Sequence, residues 1–204
     1  RNALVVAGLD FAVIDFDMSF MGAIETVIYM DGLADYLVFS EEAQPGPGRP
    51  FTTVLQDLAT NPGQSSADVA EMLVETFVDA YQGSRSSVTR SAFDMSQLMS
   101  VLLSWNALGN DLANNLATHQ AALAQSTDGA QAFTFPFLKD MGHWLSLVQP
   151  SLSPPPAGGQ PPPDRGASEL ADGLQTAIAD AIHANAYYSS GEYNANDVDA
   201  STGL

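Results

Sequence analysis

Few residues in this chain are equipped for chemistry, and their types narrow the options. Cysteine is absent, which removes disulfides, thiolate-bound zinc and any thiol nucleophile. His119, His143 and His183 stand far apart and form no metal-ligand spacing. Carboxylates dominate: 24 acidic side chains against 6 basic ones give a net charge of −18, a field that repels phosphate backbones and argues against nucleic acid as a partner. The same field suits Arg- or Lys-bearing peptides or metal cations, and it also serves solubility alone. The polar groups best placed for a site follow two apolar runs: Asp17 and Ser19 after the first, Ser40 and Glu41 after the second.

The elements that must position them are those of one domain. With 204 residues, 46% apolar and 15% charged, the chain is long and apolar enough to bury a real core. It has no run of 18 apolar residues, hence no expected membrane span, and this stretch carries no signal-peptide pattern, although a precursor can carry one. Phe11 to Asp17 reads as a strand apolar on both faces, as in a parallel sheet. Met18 to Gly22 turns the chain, Ala23 to Met30 has helical periodicity, and Asp35 to Ser40 is a second short strand. This strand–helix–strand unit predicts an α/β sheet with a right-handed crossover.

Glu41 and Glu42 lead into the turn-rich loop Pro45-Gly46-Pro47-Gly48-Arg49-Pro50. Helices are expected over Thr52–Ala59, from Ser66-Ala67-Asp68 with Val69, Leu73, Phe77 and Tyr81 on one face, from an Asp94 cap through about Gln125, over Phe137–Val148, and over Ser168–Ala186. Ser87 to Phe93 reads as a third strand. Pro150 to Gly166 is low in complexity and proline-rich, so an extended surface linker is expected there. The tail from Tyr187 is polar, and its three tyrosines leave docking or looseness open. A doubly apolar first strand needs neighbours on both edges, yet only one or two later strands are offered. The sheet therefore reads as half supplied: an earlier segment completes it as a separate chain, or the domain is truncated.

Several blocks in order resemble the clostripain family of cysteine peptidases, which share the caspase-like fold. Phe16 to Glu25 (FDMSFMGAIE) is similar to the family's apolar strand, Asp, any residue, Cys, an apolar residue, Met-Gly and a helical Glu. Ala34 to Phe51 (ADYLVFSEEAQPGPGRPF) resembles the next block, a strand ending in Ser-Glu-Glu before a Pro/Gly loop, and weaker likeness continues through Ser91–Leu98 and Phe137–Trp144. The resemblance implies a mostly parallel caspase-like sheet with flanking helices, this chain supplying its C-terminal half: residues 1–149 the nucleophile-bearing part, 150–166 a linker, and 167–204 a helix and tail packing on the same domain.

It also implies roles. Ser19 stands where the family carries its catalytic cysteine. A hydroxyl needs a well-oriented base where a thiol ionises readily, so the exchange is expected to remove most of the rate. Two accounts stay open: an engineered Cys→Ser change, or a natural serine in a pseudoenzyme or unusual serine variant. A third reading, a mere helix-start serine, has the flanking match against it. Asp17, two positions earlier, is implied to line the pocket that selects Arg or Lys, through charge-assisted hydrogen bonds; capping of the strand–helix turn is the other reading. Ser40 and Glu41 are expected to face the same cleft. Glu42 is read equally well as surface. Gly22, with Met21, fits a turn whose backbone N–H groups hold an oxyanion. The family's histidine precedes the nucleophile in a His-Gly context, so the base is expected from an N-terminal chain, the implied partner, and His143 is read as packing or surface. Family members often respond to calcium, which the acidic surface permits, but no ligand set is readable. A peptidase of this class is expected to nick itself at Arg165–Gly166, and the composition fits an exported or cell-envelope prokaryotic protein.

Overall fold

Residues 1–152, 165–190 and 202–204 are described by the computed structural model. The expected strand–helix–strand unit is present: β1 (Phe11–Asp15), α2 (Ile24–Tyr29) and β2 (Ala34–Phe39), with Phe11 opposite Ala34 and Asp15 opposite Val38 in parallel register. A short α1 (Asn2–Ala7), not expected, precedes it with no buried residue. Beyond this unit the sheet departs from the mostly parallel expectation. β3 (Val88–Asp94) runs antiparallel to β2, and β4 (Ile182–Tyr188) antiparallel to β3, in the order β1-β2-β3-β4.

β4 corrects the reading of a helix through Ala186. α8 (Arg165–Ala181) ends five residues early, and Ile182, Ala184, Ala186 and Tyr188 then alternate inward with His183, Asn185 and Tyr187 outward. That period of two is the signature of a half-buried strand. β1, expected to be buried on both faces, is only half-buried and lies at the edge of the sheet among the described residues.

The helices divide between the two faces, as the alternation along β2 requires. Leu37 and Phe39 point into a core with α2, α5 (Leu98–Asn114), α7 (Met141–Leu152) and α8. Val38 points the other way, toward α3 (Phe51–Thr60) and α4 (Ser66–Tyr81). α4 starts as its sequence predicts. Ser65 accepts from the Asp68 amide and the Asp68 carboxylate accepts from the Ser65 amide, a reciprocal cap that satisfies two orphan donors. Asp94 caps a single 3-10 turn, Met95–Gln97, ahead of α5. The long helix expected to Gln125 breaks at Asn115, whose side-chain amide bonds the Asp111 carbonyl, and α6 (Leu116–Gly129) follows. Such local side-chain bonds compete with the helical ladder.

α7 starts at Met141 rather than Phe137 and continues through Pro150 to buried Leu152. Residues 153–164, most of the expected linker, lie outside the described residues, as do 191–201 of the tail. Arg165 is the first residue of α8, so the bond to Gly166 sits in a helical turn instead of the extended stretch expected. No described helix is long and apolar enough to cross a membrane.

Candidate active site

β1 ends at Asp15, and the chain leaves it alongside the continuation of β2. The Phe16 amide donates to the Val38 carbonyl at 2.8 Å, and the Gly22 amide donates to the Ser40 carbonyl at 2.9 Å. Between these anchors the loop bulges outward and carries Asp17 and Ser19. Ser19 is half-buried at the C-terminal end of a parallel strand, the edge of an α/β sheet where sites form. Its hydroxyl oxygen accepts from the Gln44 amide at 2.9 Å. Phe20 then adopts φ 60°, the one non-glycine residue with positive φ among those described. A bulky side chain in this region costs about 1–2 kcal/mol. Packing against Phe135, with ring centroids 4.9 Å apart, offsets part of that strain.

Gly22 is required by close approach. A Cβ there would stand 2.8 Å from the Glu41 Cγ and 3.0 Å from the Phe39 ring. Its amide, however, is committed to the Ser40 carbonyl, so it reaches an oxyanion only if that bond breaks. Gly22 therefore shapes the turn rather than lending it a ready donor.

Asp17 is exposed, and its carboxylate rests over Gly48, whose φ is +67°; a Cβ on Gly48 would lie 2.9 Å from the Asp17 Oδ2. The Pro/Gly loop is thus the floor beneath this carboxylate. It is held by the Tyr81 hydroxyl, which donates to the Gly48 carbonyl at 2.7 Å, and by Arg49, which bonds the Asp15 carboxylate and, at 3.3 Å, the Leu73 carbonyl.

Arg49 belongs to a buried charge cluster that the sequence did not announce. Arg90, from the middle of β3 and fully buried, also bonds the Asp15 carboxylate, and its guanidinium lies 4.9 Å from the Phe77 ring centre. Burial pulls Arg90 down to about 10 and pushes Asp15 up, with Coulombic attraction between the partners opposing both shifts. Burial therefore weighs more than the pairing returns, as is usual for charges taken out of water.

Ser40 and Glu41 were expected to face the cleft of Asp17; the structure buries Ser40 in a bond to β3 and sets Glu41 on the other flank of the Ser19 turn. Ser40 is buried, and its hydroxyl donates to the Thr89 carbonyl at 2.8 Å. The Thr89 hydroxyl oxygen in turn accepts from the Glu41 amide at 3.0 Å and the Glu42 amide at 3.2 Å. Ser40 is thus a fastener between β2 and β3. Glu41 is buried and lines a separate pocket of about 300 Å³ with Phe20, Trp105, Phe137 and Trp144, of which Asp17 is not a part. Glu42 is buried too. Its carboxylate accepts from the Thr134 amide at 2.9 Å and from the Thr134 hydroxyl, tying the loop after β2 to the loop before α7.

The histidines are engaged elsewhere. The His143 Nδ1 accepts from the Gln131 amide at 3.0 Å, His183 packs its ring 5.2 Å from that of Tyr36, and His119 is buried in α6. No group of His, Asp and Glu able to hold a metal forms among the described residues.

The α/β sheet thus sets a hydroxyl residue just past a parallel strand, with a carboxylate two positions before it, at the sheet edge where sites form. Comparison with known proteins makes this specific: the model of the clostripain family, the C11 peptidases, matches residues 1–196, and the chain belongs to that family. Solved structures share the fold. A clostripain from Bacteroides thetaiotaomicron, solved with a peptide inhibitor, superposes with a TM-score of 0.66 at 17% identity, over 92% of this chain and 72% of its own. An inactive zymogen C11 protease from Parabacteroides distasonis gives 0.68 at 18% identity, over 100% of this chain and 54% of that one. A secreted C11 cysteine protease of B. thetaiotaomicron gives 0.65 at 17%, over 91% and 45%. This chain therefore spans about half to three quarters of the length of these relatives. No curated protein matches it.

Proposed function

We propose that this chain is the nucleophile-bearing part of an endopeptidase that cuts after Arg or Lys, with Ser19 at the nucleophile position and Asp17 receiving the basic side chain. The observation that carries the reading is the pairing of the two on the one turn that follows β1. Ser19 stands at the tip of β1, and the Asp17 carboxylate lies outside the core over the Gly48 floor. A carboxylate so placed suits a guanidinium or ammonium group, and the −18 field draws such peptides in. The base is a histidine of an upstream segment that pairs with the edge of β1 left without a neighbour among the described residues, since His119, His143 and His183 are held in other parts of the fold. The relative described as a secreted protease supports export of this protein too.

A second reading, a module that binds basic peptides without cutting them, is favoured by Ser19 itself. Its hydroxyl is fixed on the Gln44 amide, and serine ionises far less readily than a thiol. One experiment separates the two. The whole protein, with and without Ser19→Cys, is assayed on an Arg-containing peptide and its Gln analogue. Turnover of the Arg peptide alone, rising by orders of magnitude in the Cys variant, supports the peptidase. Arg-dependent binding with no turnover by either form supports the module, and indifference to Arg overturns both.

A further inference from the structure

The turn that carries Ser19 has two flanks that open on different faces of the sheet. Asp17, before Ser19, rests on the Gly48 loop, which Tyr81 of α4 holds. Phe20 and Gly22, after Ser19, line the pocket built against α5 and α7. The pocket is walled by Phe20, Trp105, Phe133, Phe137 and Trp144, encloses about 300 Å³, and carries Glu41 beneath Gly22. That volume lies at the small end of ligand pockets, and aromatic walls recognise apolar bodies with little loss of rotamer freedom.

Three features say that this hollow is held in place. Phe20 keeps a strained positive φ that aims its ring at Phe135 and the pocket wall. Strain of this kind persists where the surroundings over-determine it, and it clusters at ligand sites. The Glu42–Thr134 clamp fixes the segment between Phe133 and Phe135 onto the loop that follows β2. Phe135 and Phe137 stack at 5.5 Å, while Phe137 stays 78% exposed at the rim.

We infer that this pocket is a substrate subsite that takes a large aromatic or aliphatic side chain of the peptide, on the far side of the nucleophile position from the residue bound by Asp17. The inference rests on the peptidase-cleft reading above. Its occupant is argued from continuity: the residues immediately after Ser19 form the pocket's near wall, so a peptide crossing Ser19 with its basic side chain at Asp17 brings a neighbouring side chain to this opening. Glu25, Glu41 and Lys139 also line the pocket, but aromatic and aliphatic side chains make most of its wall, so apolar contact decides the preference.

The chain supplies its own reporter, because its two tryptophans, Trp105 and Trp144, both line the pocket. The whole protein, with Ser19 in place, is titrated with blocked hexapeptides. Each contains one Arg and a neighbour varied among Phe, Leu, Asp and Lys at each flanking position. Calorimetry and tryptophan emission are read together. At one flanking position, Phe or Leu is expected to bind at least tenfold more tightly than Asp and to shift the emission. Trp105→Ala and, separately, Phe137→Ala, both partly exposed and so tolerant of truncation, are expected to reduce that ratio below about threefold. Arg-dependent binding with no flanking preference, or with Lys preferred over Phe, overturns the subsite and leaves the cleft reading standing. Unchanged discrimination in both variants, with a lowered melting temperature, assigns the pocket to another part of the protein's own chain and also overturns it. Failure of every Arg peptide to bind removes the cleft reading and the subsite with it.

Discussion

The carboxylate of Asp17 and the Cα of Gly48 are packed against one another, with the Asp17 Oδ2 2.9 Å from the position a Gly48 Cβ would take. Gly48 also holds φ +67°, so an alanine there meets both a clash and a backbone preference. Gly48→Ala is expected to displace Asp17 and weaken an Arg peptide about as much as Asp17→Asn does. That loss is about 10- to 100-fold, the worth of one charge-assisted hydrogen bond. Calorimetry with Arg and norleucine peptides checks this: both variants should close the gap between the two peptides, and a gap that survives Asp17→Asn counts against the pocket assignment.

Gly22 makes the second close approach, against Glu41 and Phe39. Both neighbours are buried, so neither can retreat cheaply. Gly22→Ala is expected to destabilise by about 1–3 kcal/mol as an overpacking change and to raise the mobility of the Ser19 loop. Urea unfolding gives the first quantity, and hydrogen exchange at residues 18–22 gives the second.

Arg90 fills the middle of β3 with a charge that burial disfavours. Truncation to alanine removes a partner of Asp15 and opens a cavity beside Phe77, and should cost about 3–5 kcal/mol. Arg90→Met keeps the volume, removes the buried cation and leaves Asp15 paired with Arg49, so the expected loss is below about 2 kcal/mol. Equal losses in denaturant unfolding would show that charge, rather than packing, sets the cost.

The α4 cap gives a prediction with a pH sign. The Ser65 hydroxyl and amide hold the Asp68 carboxyl below its ordinary value of 3.8. A depressed carboxyl contributes stability above the unfolded value, and that contribution disappears as pH falls through the folded one. Ser65→Ala is expected to lower Tm by about 2–4 °C at pH 7. The gap to the parent protein should narrow below about pH 4. Thermal melts at pH 7 and pH 3 test it, and a gap that widens on acidification refutes the assignment.

Local patterns were legible wherever one residue type does one job. The apolar run of β1, the turn through Gly22, β2, and the Ser66-Ala67-Asp68 start of α4 needed only near neighbours in the chain. β4 was obscured because Ile182–Tyr188 follows an amphipathic helix without a break, although its alternation was there to be counted. Ser40, Glu41 and Glu42 show the limit differently. Polar residues after a strand read as surface or site, yet all three are buried, because Thr89 and Thr134, far along the chain, provide the partners.

The sequence alone determined the family and the place of Ser19 on a strand-to-helix turn, because these rest on residue order and short-range periodicity. Only the tertiary structure decided that Arg49 and Arg90 share Asp15, that Gly48 is the floor under Asp17, and that Trp105 and Trp144 close a pocket beside the same turn. These contacts join residues tens of positions apart. Which distant groups meet is set by how the helices divide between the faces of the sheet, and no local pattern encodes that division.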